Sequence, residues 1–234
     1  MSEKTILGLS MRYVSNKQTT SLSVFFIILI LTLIIAFSNG SFDFSFLSLL
    51  KGETTSIENT IFFEIRIPRV ILACLVGTSL AISGACLQGL FRNPLADPGL
   101  IGVSAGAALG ASIIIVFGST IFSKFILSTF LLPLAACFGS GIVIFLLFLL
   151  TKGFGYQGIT YMLLVGIAIN AIASVGIGIL TFISTDSELR GLTFWTMGSF
   201  GGITWPLLIP AILIIITSLI FLIPVLRDLD ILQL

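Results

Sequence analysis

The chain has 234 residues, of which 57% are hydrophobic and only 9% charged, and its net charge is +1. A soluble domain carries about 25% charged residues, so this composition excludes one and requires an integral membrane protein. The near-neutral charge offers nothing to a nucleic acid, and the absence of histidine excludes a histidine metal site or general base.

The apolar runs are continuous and long, which predicts membrane helices and not the alternating strands of a barrel. Six spans are expected, over residues 22–37, 68–90, 98–117, 125–150, 160–183 and 206–226. The fold class expected is therefore all-α: a polytopic transmembrane helix bundle, forming one domain over residues 1–234. The first span follows a polar lead carrying Lys4, Arg12 and Lys17. Residues 38–40 make a poor cleavage site, so a retained helix is favoured over a signal peptide. Six spans put both ends on one side, and the basic lead assigns that side to the cytoplasm. Residues 40–64 read as a long outer loop, in which Phe42, Phe44, Phe46 and Leu47 suit the membrane face.

Arg66 and Arg69 stand three apart just before the second span, with Pro68 between them. On a first helical turn both would face roughly the same way. Two readings stay open: interfacial snorkelling, or docking of an acidic partner, which the planar guanidinium fork suits. Gly77, Ala81 and Gly84 form a small-residue stripe in the second span. Cys74, Cys86 and Cys137 lie inside spans and read as small packing residues. The run Asn93-Pro94-Leu95-Ala96-Asp97-Pro98-Gly99 is turn chemistry: Asn93 and Asp97 suit local backbone bonds, and Asp97 suits a helix cap.

Gly102, Gly106 and Gly110 recur every fourth residue, which places them on one helix face. That face either packs tightly or abuts a moving helix. Gln88 and Asn170 are polar groups within or near spans. Interhelical bonding accounts for both, and a water-filled path is the second reading of Asn170. Trp195 and Trp205 flank a short segment before the last span, where interfacial anchors belong. Nothing resembles a catalytic site. There is no paired carboxylate within a span, no nucleophile with its base, and no phosphate-binding Gly-Lys loop.

Three stretches together resemble the permease subunits that import iron–siderophore complexes, haem and cobalamin in bacteria. They are RIPRVILACLVGTSLAISGACLQGLFRNPLADPGLIGVSAGAALGA (66–111), YMLLVGIAIN (161–170) and LRGLTFWTMGSFGGITWP (189–206). Within that family the runs FRNPLADPGLIGVSAGAALGA and LTFWTMGSFGG are most similar to haem permeases. The resemblance implies a homodimer in the bacterial inner membrane, embedded in membrane lipid. It also implies two cytoplasmic ABC ATPase subunits and a periplasmic or lipid-anchored substrate-binding protein. The partner ATPases hydrolyse ATP, so the chain is expected to need no cofactor and to be no enzyme itself. Arg66 and Arg69 match the family's outer arginines, which meet acidic residues of the binding protein. Ile159 and Thr160 match its cytoplasmic gate. The segment 189–205 resembles a short outer helix that lines the mouth of the substrate path, which makes Trp195 and Ser199, together with Asn170, the candidate lining residues.

The family usually has about ten spans and continues past the sixth into a cytoplasmic coupling helix. Residues 227–234 resemble the approach to that helix. The sequence is read as a C-terminally truncated permease, without the coupling helix and four spans. The alternative function is a truncated membrane scaffold that does not transport, or the remnant of a split permease gene.

Overall fold

Every regular element among the described residues is a helix. The computed structural model describes residues 16–40, 55–121, 128–154 and 158–233. In chain order these form α1 (Asn16–Ser38), α2 (Ser56–Thr60), a wide π-helical turn (Ile61–Arg66), α3 (Ile67–Phe91) and a 3₁₀ turn (Pro98–Ile101). Then come α4 (Val103–Ile121), α5 (Ser128–Thr151), α6 (Gly158–Ile183), α7 (Asp186–Met197) and α8 (Trp205–Gln233). The chain divides into two units, Met1–Ile71 and Leu72–Leu234.

Among the described residues, five helical segments are long and apolar enough to cross a membrane: Thr19–Ser38, Ser56–Phe91, Phe130–Thr151, Thr160–Ile183 and Trp205–Val225. Their outward side chains, such as Phe25, Phe26, Phe145, Phe182 and Phe221, are large, apolar and exposed. That pattern is disastrous in water and favourable in lipid.

The expected third span, 98–117, needs correction. Its apolar helix covers only Val103–Gly118, because residues 98–101 form a separate 3₁₀ turn. Pro98 starts that turn and Gly102 ends it in the left-handed region, at φ 86°. A side chain at Gly102 would be strained there.

The expected loop over 40–64 is also shorter than the sequence suggested. Thr55 opens a helix at residue 56, with a reciprocal cap. The Glu58 carboxylate accepts from the Thr55 N–H at 2.6 Å, and the Thr55 hydroxyl accepts from the Glu58 N–H at 3.3 Å. The Thr-x-x-Glu pattern is the local signal for that start. Helical backbone then continues to Phe91. Residues 42, 44, 46 and 47 lie outside the described residues.

The second unit is organised by α4. Gly106 and Gly110 meet α5 backbone to backbone. A Cβ on Gly106 would strike Val143 and the Gly139 carbonyl, and one on Gly110 would strike the Ala135 carbonyl. Reciprocally, a Cβ on Gly139 would strike the Gly106 carbonyl. Positions rise on α4 as they fall on α5, so the two helices are antiparallel.

Along α6 they rise together: Gly102 meets Gly166 and Ile169, Leu109 meets Gly176, and Val116 clusters with Leu180. The alternation of direction is what consecutive membrane crossings require. Two apolar clusters close the ends of this three-helix core. Ile101, Val143 and Leu147 pack with Leu87, Phe91, Val165 and Ile169 at one end. Val116, Leu180 and the Leu192 side chain of α7 pack at the other.

The glycine stripes thus separate into different roles. Gly106 and Gly110 share the α5-facing side, whereas Gly102 stands outside the helix and faces α6. The expectation of one common face fails for Gly102, because the 3₁₀ turn breaks the helical register before it. Gly77 and Gly84 of α3 would meet no atom within 4 Å if given a Cβ.

This contrast is measurable. Gly139→Ala must push α4 and α5 apart and should cost about 1–3 kcal/mol. Gly77→Ala should be neutral or stabilising by about 0.5–1 kcal/mol, the usual gain over glycine within a helix. SDS-induced unfolding of the detergent-purified chain, followed by circular dichroism, reads both.

Candidate functional site

Two places gather most of the residues singled out by sequence. The first lies in the Met1–Ile71 unit, where the end of α1 meets the wide turn. Pro68 has no N–H to donate to the residue four before it, and the backbone just ahead of it adopts the wider π spacing. The Ile67 N–H accordingly bonds the Phe62 carbonyl, five residues back.

Arg66, the last residue of that wide turn, is only 8% exposed. Its Nη1 donates to the carbonyl of Phe37 at 2.8 Å and of Ser38 at 3.4 Å. The Phe62 ring sits 5.9 Å from that of Phe37. Arg69, three residues later, is exposed. A pocket of about 390 Å³ opens here, lined by Ala36, Asn39, Gly40, Ile61, Ile65, Arg66, Arg69 and Val70. The structure therefore separates the two arginines: one is turned inward onto carbonyls, and the other faces out.

The second place is the core of the Leu72–Leu234 unit, at the end where α6 begins. The Asp97 carboxylate accepts from the Gly99 N–H at 2.5 Å and caps the 3₁₀ turn. The Asn93 side chain accepts from the Leu95 N–H at 2.9 Å. Gln88 Nε2 donates to the Pro94 carbonyl at 3.0 Å, which ties the turn back to α3. Asn170 Nδ2 donates to the Gly99 carbonyl at 2.9 Å, across 71 residues.

Gly166, one turn earlier on α6, lies so close that a Cβ there would strike the Leu100 carbonyl. The turn after α3 is thereby fastened to α6, and the Asn170 amide is engaged by backbone. Thr160 is exposed in the first turn of α6, beside Tyr161, whose ring lies 4.3 Å from that of Phe154. Ile159 belongs to the same turn, and its side chain lies outside the described residues.

Trp195 and Ser199 stand at the opposite end of α6. Trp195 is half-buried on α7, and its carbonyl accepts from the Gly198 N–H at 3.1 Å. Gly198, at φ 74° and ψ 143°, ends α7 in a positive-φ conformation that suits glycine. Ser199 is exposed, and its hydroxyl accepts from the Gly201 N–H at 2.9 Å. Between α4, α5 and α6 runs a groove of about 460 Å³ lined by apolar side chains and glycines, among them Phe138, Ile142 and Ile172. Among the described residues no three His, Cys, Asp or Glu side chains are grouped to hold a metal ion.

Fold and composition define a multi-pass helical membrane protein whose core is a glycine-packed helix trio. The chain belongs to the FecCD transport family, whose profile matches residues 25–234. It is 40% identical over 211 residues to the hemin transport system permease protein HmuU of Yersinia pestis, covering 90% of this chain and 62% of that protein. It is 34% identical over 188 residues to the molybdate import system permease protein MolB of Haemophilus influenzae, covering 76% and 53%. It is 38% identical over 155 residues to the vitamin B12 import system permease protein BtuC of Klebsiella pneumoniae, covering 66% and 45%. A solved metal-chelate type ABC transporter in an inward-facing conformation superposes with a TM-score of 0.75 at 28% identity, over 92% of this chain and 65% of that one. The chain thus spans about half to two-thirds of the length of the proteins it matches.

The Asn170 bond yields a graded expectation. Asn170→Ala removes one interhelical hydrogen bond and should cost about 0.6–1 kcal/mol. Asn170→Asp should cost more, because it sets a carboxylate oxygen against the Gly99 carbonyl. The same SDS titration ranks the two.

Proposed function

We propose that the chain is the membrane-spanning permease subunit of an ATP-binding-cassette importer for haem or an iron–siderophore complex. The observation that carries this reading is the 40% identity to a hemin permease over 90% of the chain. The chain forms a single permease domain in the bacterial inner membrane, with its N-terminus in the cytoplasm. It pairs with a second copy, binds two cytoplasmic ATPase subunits and receives substrate from a periplasmic or lipid-anchored binding protein. ATP hydrolysis belongs to the ATPases, and this subunit supplies the path.

In this scheme the pocket carrying Arg66 and Arg69 faces the periplasm and meets acidic groups of the binding protein. Arg69, being exposed, is the residue a partner reaches first. Ile159 and Thr160 form the cytoplasmic constriction at the start of α6. Trp195 and Ser199 line the opposite mouth, and Asn170 holds the wall between the two. An ATPase biases such a path only through contacts that differ between its states. The link from the ATPase to α6 is therefore the step that sets whether the gate opens.

Two measurements test this. In proteoliposomes containing the transporter of which this chain is part, haem or a ferric siderophore should stimulate ATP hydrolysis and enter the lumen, while cobalamin and molybdate should do neither. Stable association with the ATPase but no stimulation by any of the four would favour a scaffold.

For the gate, Thr160→Cys or Ile159→Cys is placed in a chain whose Cys74, Cys86 and Cys137 are replaced. Each should react with a polar maleimide from the cytoplasmic side at a rate that changes on nucleotide binding. Equal protection in every nucleotide state would remove the gate assignment.

A further inference from the structure

The end of α1 is held by a side chain from 28 residues further on. The last carbonyls of any helix have no partner within it. Here Ile35 O takes the Asn39 N–H at 2.8 Å, and Phe37 O and Ser38 O both take Arg66 Nη1. A planar fork of donors suits two adjacent carbonyls, and a cation at a helix C-terminus also complements the helix dipole. Gly40 fits this arrangement closely. A Cβ there would lie 2.5 Å from Arg66 Nη2 and 2.9 Å from Cζ. The contact is backed by Phe62, itself buried, against the Phe37 ring.

We propose that Arg66 is a positioning residue: it caps the C-terminus of α1, fixes that helix end against the wide turn, and leaves Arg69 as the charge available to a partner. Four observations converge on this: the buried guanidinium, its two carbonyl acceptors, the glycine that makes room for it, and the exposure of Arg69. The cap itself stands on this geometry alone. Only the role left to Arg69 rests on the docking reading given above.

The cap is tested in membranes with the full chain, its three native cysteines replaced and Ser38→Cys introduced as a reporter. The rate of labelling by a polar maleimide is measured. Arg66→Gln should raise it roughly tenfold, the scale of losing a charge-assisted hydrogen-bonded cap. Gly40→Ala keeps the arginine at position 66 but displaces its guanidinium, and should raise the rate as well. The two changes together should add little beyond Arg66→Gln alone, because both act through one contact. Arg69→Gln should leave the rate within twofold of the parent. Rates within twofold of the parent for both Arg66→Gln and Gly40→Ala, or fully additive increases, would overturn the cap.

A second readout separates position from charge. Association with the binding protein is followed against salt concentration, since a charge at an interface sets the salt slope. Arg69→Gln should flatten the slope. Arg66→Gln should weaken binding and leave the slope unchanged. Equal flattening by both would make Arg66 a docking charge and overturn the proposal. If neither changes the slope, docking at Arg69 is wrong, and the labelling rates alone decide the cap.

Discussion

The interaction on which the structure depends is the backbone-to-backbone crossing of α4 and α5 at Gly106, Gly110 and Gly139. In water two helices are driven together by removing apolar surface from solvent. In lipid that drive is absent, because the acyl chains are as apolar as leucine. What remains is close packing, and dispersion falls away within a fraction of an ångström. A pair of helices without Cβ atoms at the contact approaches closer and keeps more of that attraction. Each of these glycines would strike the opposing helix if it carried a Cβ. Alanine at any of these positions must therefore spread the crossing.

From that crossing the placement of α6 and of the turn after α3 follows. With α5 fixed on one side of α4, α6 is held on another by Gly102, Gly166 and Gly176. The turn after α3 is then secured by hydrogen bonds. Asn170 holds Gly99, Gln88 holds Pro94, and Asp97 and Asn93 fold the intervening turn on itself. The three bonds at the turn are exposed and individually modest; the Asn170 bond is part-buried, where an unpaired donor costs more than a made bond gains. The result is a frame in which α6 is tied near its middle to the turn after α3, while Thr160 in its first turn is exposed.

Much of this was legible in the sequence, for reasons that can be named. Continuous apolar runs give membrane helices because backbone polar groups in lipid must be bonded within the segment. The Asn93–Gly99 turn was legible because proline and the Asx side chains act locally. What was not legible depended on distance. Gly102 continues the four-residue spacing of Gly106 and Gly110, and only the left-handed turn places it against a different helix. Gly77 and Gly84 carry the same letters as the packed glycines yet face open space.

The partition of Arg66 from Arg69 arises from the wide turn before Pro68 and from the carbonyls of Phe37 and Ser38, nearly thirty residues away. No local pattern encodes that. The helix start at Ser56 was different. Its Thr-x-x-Glu signal was present, and the helical segment it opens lay hidden inside an apparent loop.

The α4–α5 contact holds the core of the Leu72–Leu234 unit together, and a double-mutant cycle addresses it directly. Gly106→Ala and Gly139→Ala are measured singly and together by SDS unfolding. If the two glycines face each other, the first substitution already spreads the helices, and the second then costs little. The double variant should lose well under the sum of the singles, with a coupling of roughly 0.5–3 kcal/mol. Additive losses would mean that the two residues do not share a contact, and the frame described here would be wrong.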